Sequence, residues 1–151
     1  MAKEETKDLL EFLKPFPEIV KETTLWLRDF IWDLYPDANE LIYDNYNALA
    51  IGFSPSDKAG DVFCSIAVYS KYVNFGLNRG SEIADPERKF KGQGSLYRYL
   101  TVNEIKNLPQ SYIKSLLKEA YQNALSKMKT PCGLKGQTIT KSVSSKKRRP
   151  Q

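Results

Sequence analysis

Between positions 41 and 77 the apolar side chains of this chain recur at every second residue, and on either side of that stretch they recur every three to four. A strand alternates its side chains between two faces and a helix repeats every 3.6 residues, so the change of period sets the order of elements: helices, then strands, then a helix. The spacing predicts a short helix over 3–13, closed by Pro15 and Pro17, and a longer one over 18–35. In the second, Ile19, Val20, Thr23, Leu27, Phe30, Ile31 and Leu34 form the expected apolar stripe, while Lys21 and Arg28 flank a row of acidic residues away from it. Strands are expected over 41–46, 48–53, 62–69 and 73–77, the last two joined by a tight antiparallel turn at Ser70 and Lys71. A long polar connection leads to a fifth strand over 95–102. Asn103 is the expected cap of a final helix that runs on from Pro109, with Ile113, Leu116, Leu117, Ala120, Ala124 and Met128 on its apolar side. The fold class is therefore α+β: an antiparallel sheet of about five strands covered by helices on one face.

Charge divides the chain. The last acidic residue is Glu119, and eight of the 23 basic residues lie beyond it, which leaves 15 basic against 18 acidic side chains in the body. A mildly acidic domain over 1–128 with a basic, unstructured tail over 129–151 is the expected organisation, because the tail has no apolar period and several chain breakers. No apolar run reaches the roughly 20 residues that span a bilayer, and the first residues are charged, so a cytoplasmic, membrane-free protein is expected. Cys64 and Cys132 are expected to be free thiols. There is no histidine, which removes Ser–His and Cys–His catalysis and every histidine-containing metal site; the expectation is a protein without enzymatic activity.

Four residues of the second helix carry the sharpest chemical pattern. Glu18, Glu22, Asp29 and Asp33 fall within a sector of about 60° at about 100° per residue. A row of carboxylates on a rigid helix offers oxygen ligands to a hard cation such as iron, calcium or magnesium, and the alternative is a solvated outer face. Tyr97 and Tyr99, with Tyr43, Tyr46, Tyr69 and Tyr72, read either as a stacking platform for single-stranded nucleic acid or as a tyrosine face packed under a helix. A third possibility is a tyrosine-lined ligand pocket between sheet and helices, with Arg79 or Arg98 as anion anchor. Gly92 and Gly94 lack the third glycine of a dinucleotide loop and are expected to supply positive φ ahead of the strand. Lys146, Lys147, Arg148 and Arg149 form a basic cluster suited to nucleic acid or an acidic partner.

Residues 72–80 (YVNFGLNRG), 85–94 (DPERKFKGQG) and 97–100 (YRYL), taken with Pro17 to Val20 and Tyr35 to Ala38, resemble the YdhG-like domain of unknown function over roughly residues 15–125. Two positions depart from the pattern: Ser95 stands where a lysine is usual and Gln93 where a threonine is common. The resemblance implies a compact α+β domain with an antiparallel sheet. It also implies, by analogy with one branch described as frataxin-like, an intracellular iron chaperone that holds labile iron and serves iron-cluster or haem assembly proteins. It supplies no site residues, so the acidic row stands on helix geometry alone. The alternative expectation is an interaction module that docks nucleic acid or an acidic partner through its basic tail.

Overall fold

Thr6 opens the first helix: its hydroxyl accepts a hydrogen bond from the Leu9 amide at 3.3 Å, satisfying one of the free donors of α1 (Lys7–Leu13). The computed structural model describes residues 6–129 and 131–146. Helix α2 (Glu18–Leu34) follows directly after Pro17. Five strands then run as an antiparallel meander: β1 (Asn39–Asp44), β2 (Leu49–Ser54), β3 (Cys64–Val68), β4 (Val73–Leu77) and β5 (Arg98–Val102). Helix α3 (Gln110–Lys127) leads to a sixth strand, β6 (Thr138–Val143). The sheet order is β5-β4-β3-β2-β1-β6, and β6 lies parallel to β1.

The sixth strand corrects two expectations. The sheet has six strands and is mixed, and the segment expected to stay unstructured supplies one of its edges. Hydrogen bonds hold that edge more than apolar burial does. The Glu40 amide donates to the Gln137 carbonyl at 2.7 Å, the Gln137 amide donates to Asn39 Oδ1 at 3.0 Å, and the hydroxyls of Thr138 and Thr140 donate to Glu40 and Asp8 at 2.9 and 3.1 Å.

Strand register assigns the two faces of the sheet. Ile42, Ile51, Ile66 and Phe75 are partners across four strands, as are Leu49, Val68, Val73 and Val102. All of these are buried, in the same cluster as Leu27 and Ile31 of α2 and Ile113 and Leu117 of α3. The opposite face carries Tyr43, Ala50, Ser65, Ala67, Asn74, Gly76, Tyr99 and Thr101. At its β1–β2 end Val62 packs on Gly52, where an added Cβ would meet the valine methyls at 3.1 Å. Elsewhere on that face the described residues place no helix.

Helix α2 buries a different arc from the expected one. Ile19 is 58% exposed, while Thr24, Arg28 and Trp32 are buried with Val20, Leu27 and Ile31. The stripe rotates because Arg28 has a partner that hydropathy does not register. Its Nε donates to Glu40 Oε2 at 2.7 Å and its Nη2 to Oε1 at 3.3 Å, with both side chains fully buried. Burial pushes the Glu40 carboxyl up, and the bonds from Arg28 and Thr138 pull against it. Pairing removes most of the cost of burying the two charges. Asn103 does not cap α3, which begins seven residues later behind a short turn of 3-10 helix at Ile105–Asn107.

Candidate functional site: the helix-free face of the sheet

Tyr69, Tyr72, Tyr97 and Tyr99 gather over the β3–β5 part of the open face. Register puts Tyr99 opposite Gly76 and Asn74 opposite Thr101. Tyr72 is same-sided with Asn74, two residues on, and Tyr97 with Tyr99, because side chains two apart share a face. The rings stack in two pairs: Tyr69 on Tyr72 at 4.8 Å and 22°, Tyr97 on Tyr99 at 6.1 Å and 20°. Small residues beneath them allow this. A Cβ on Gly76 would stand 2.4 Å from the Tyr97 hydroxyl, so only glycine lets that ring lie across β4. Burial pushes the Tyr97 phenol up to about 12; the neighbouring Tyr69 adds to this, a hydrogen bond shared with Ser65 opposes it, and Tyr99 adds further. Burial likewise raises Tyr69, with Tyr72 and Tyr99 contributing. Tyr97 and Tyr69 are thus held in the neutral, protonated form.

A cleft of about 470 Å³ opens between these rings, lined by Lys71, Tyr72, Asn74, Tyr99, Thr101 and Asn103. Thr101 Oγ1 donates to Asn74 Oδ1 at 2.7 Å across the strand pair, which fixes both polar groups at its floor. The expected pocket of tyrosines between sheet and helices is thus corrected for these four: they lie on the other side of the sheet, where among the described residues no helix packs over them. The supposed anion anchors do not share a cavity with them. Arg98 sits on the helix side in register with Leu77; its Nη1 donates to the carbonyls of Gly94 and Tyr97, both at 2.7 Å. Arg79 Nη1 meets Glu82 at 3.4 Å and lines a different hollow beside Phe63 and Ala124. Gly92 does adopt a positive φ of 137°, whereas Gly94, expected to do the same, does not.

Glu18, Glu22 and Asp33 are exposed and Asp29 is half-buried. Glu18 lies 3.2 Å from the Lys21 ammonium. Among the described residues no three Asp, Glu or Cys side chains stand close enough to hold a metal ion. Lys146 is exposed, and Lys147, Arg148 and Arg149 lie outside the described residues. Cys64 and Cys132 are free thiols, and burial pushes the Cys64 thiol well above its ordinary value, so it is a poor nucleophile. Among the described residues no helix is long and apolar enough to cross a membrane.

Asn74 and Thr101 escape a reading of the sequence because each is one polar residue in a strand. The signal was present in parity: in 73–77 (VNFGL), Asn74 and Gly76 take the face that Val73, Phe75 and Leu77 do not. Set against known proteins, the chain matches no family model, no curated protein and no solved structure.

Proposed function

We propose that this protein is a non-enzymatic binding module that lays single-stranded nucleic acid across the open face of its sheet. The observation that carries the reading is the pair of tyrosine stacks on the face that no described helix covers. Bases stack on exposed aromatic rings without regard to sequence, with about 1–3 kcal/mol per base. A chain of net charge +5, with Lys71 beside the rings and a basic end following β6, supplies the long-range attraction to phosphate.

Fluorescence anisotropy with a labelled twelve-residue oligothymidylate tests this. Tyr72→Ala and Tyr99→Ala are each expected to weaken binding about tenfold, the equivalent of one lost stacking contact. Serine in place of Lys146, Lys147, Arg148 and Arg149 is expected to flatten the salt dependence. Parent-like affinity in the Tyr72→Ala/Tyr99→Ala double variant would remove the face from consideration.

The iron-chaperone reading, with labile iron and delivery to cluster or haem assembly proteins, rests on the resemblance and on the carboxylates of α2, three of them exposed. Glu18 with Glu22 and Asp29 with Asp33 are two ligand pairs, and a hard cation such as calcium takes six to eight oxygens, so water would have to complete the shell. We place this reading second. Ferrous-ion calorimetry on the parent and on Glu22→Lys/Asp29→Lys decides it: heat lost in the variant supports the row, and unchanged heat eliminates it.

A further inference from the structure

The cleft between Tyr72 and Tyr99 has chemistry beyond stacking. Asn74 is only 9% exposed. Its Oδ1 is occupied by the Thr101 hydroxyl; among the described residues its Nδ2 has no hydrogen bond and, unlike the orphaned Asn78 Oδ1, is open to the cleft. Thr101 has spent its only proton on Asn74 and retains a lone pair. Two adjacent groups of opposite sense, one donor and one acceptor, are therefore fixed at the floor of a cleft that Tyr72, Tyr99, Lys71 and Asn103 complete.

The geometry points to a nucleobase seat: the cleft takes one planar heterocycle whose edge carries a hydrogen-bond acceptor beside an N–H donor. The ligand's acceptor takes the proton from Asn74 Nδ2, and its N–H donates to Thr101 Oγ1. Uracil offers this pair through a carbonyl and N3–H, and adenine through N1 and its exocyclic amine. Tyr72 and Tyr99 stand four residues apart along the paired strands, or roughly 13 Å, which leaves room for a base between the rings. Lys71 at the margin faces the phosphate. The inference deepens the nucleic-acid reading of this face and rests on it for physiological meaning. Its chemistry is that of a single nucleotide, so the two can fail separately.

The test uses the full chain, labelled with nitrogen-15, titrated with uridine monophosphate and with its N3-methyl derivative, alongside adenosine monophosphate and its N6,N6-dimethyl derivative. The side-chain amide signals of Asn74 report contact directly. The unmethylated nucleotides are expected to shift those signals and to bind about tenfold more tightly than the methylated ones, which lose one hydrogen bond of the pair. Asn74→Asp preserves shape and the bond from Thr101 but removes the donor, and is expected to weaken methylated and unmethylated nucleotides alike while the preference set at Thr101 remains. Thr101→Ser retains the hydroxyl and is expected to behave as the parent, which guards against a variant that merely unfolds. Equal binding of methylated and unmethylated nucleotides overturns the seat and leaves stacking intact. Oligothymidylate binding without any mononucleotide response overturns it too. Mononucleotide binding with the expected preference, but no oligonucleotide binding, upholds the seat and refutes the platform.

Discussion

Replacing Glu40 by glutamine removes the charge of the buried pair while leaving its shape. Glu40 accepts from Arg28 at 2.7 and 3.3 Å and from Thr138 at 2.9 Å, and the guanidinium also sits 4.7 Å from the centre of the Trp32 ring. Arg28 does not deprotonate in a protein, so Glu40→Gln takes from a fully buried cation the carboxylate that it meets at 2.7 Å. The glutamine also turns one acceptor into an amide donor that faces either the guanidinium or the threonine hydroxyl. Breaking a buried pair from one side costs about 3–5 kcal/mol, a large share of the roughly 5–15 kcal/mol that holds a domain of this size. With a urea m-value of about 1.5 kcal/mol/M, the midpoint falls by about 2–3 M. Thr138→Val removes only the bond from β6 and is expected to cost about 1.5–3 kcal/mol, the range for a hydrogen bond to a charged group. Arg28→Met/Glu40→Leu removes both charges and is expected to recover most of the loss. Equilibrium urea unfolding with unchanged m-values measures all three. A cost below about 1 kcal/mol for Glu40→Gln would refute the reasoning, because the pair would then be hydrated and the β1–β6 edge open.

Gly76→Ala drives a methyl into the Tyr97 hydroxyl, so the ring must leave β4. A cost of about 1–3 kcal/mol in thermal or urea unfolding is expected, relieved when Tyr97→Ala is added, and a neutral Gly76→Ala would show that the ring does not lie there. Burial alone would raise Asp85, but hydrogen bonds from Tyr112 Oη and the Phe90 and Lys89 amides outweigh it and hold the carboxyl below its usual value. Its stabilising contribution is therefore present above the unfolded-state value of about 3.9 and is lost as pH falls through the folded one. Asp85→Asn is expected to reduce stability at pH 7 and to flatten the acid limb of the stability profile; an unchanged limb counts against the assignment.

The meander was legible because its signal is local. Alternation through Cys64, Ile66 and Val68, followed by a turn at Ser70 and Lys71 before Val73, sets both strand and register, and the structure joins them as an antiparallel pair. What escaped depends on partners distant in sequence. The stretch 138–143 (TITKSV) offers only Ile139 and Val143 to a hydropathy reading, and Val143 is 57% exposed. It is a strand because β1 presents unpaired backbone groups and Asn39 and Glu40 present acceptors to it, none of which leaves a trace in the tail's own composition. Arg28 looked like a flanking surface charge for the same reason, since its anion lies twelve residues on. The tyrosines were legible as a group, but not the side on which they lie. That depends on where α2 and α3 pack, and parity within a strand leaves the two faces interchangeable.

The two faces of the sheet solve different physical problems with the same strands. Burial on the helix side uses Ile, Leu, Val and Phe, whose contribution scales with area removed from water. On the other side a half-covered surface must stay ordered without a second layer, and large amphipathic rings over small residues accomplish that by covering strand backbone with their bodies. Gly76 lets Tyr97 lie flat, Ser65 shares a hydrogen bond with it, and the stacked neighbours limit its rotation. Rings held this way have already lost the side-chain entropy that binding would otherwise cost, about 0.5–1.5 kcal/mol for each one immobilised. An arrangement that orders the bare face of a two-layer domain is therefore also one prepared to accept a flat ligand. This is why that face, rather than the more strongly charged α2, is where recognition is expected.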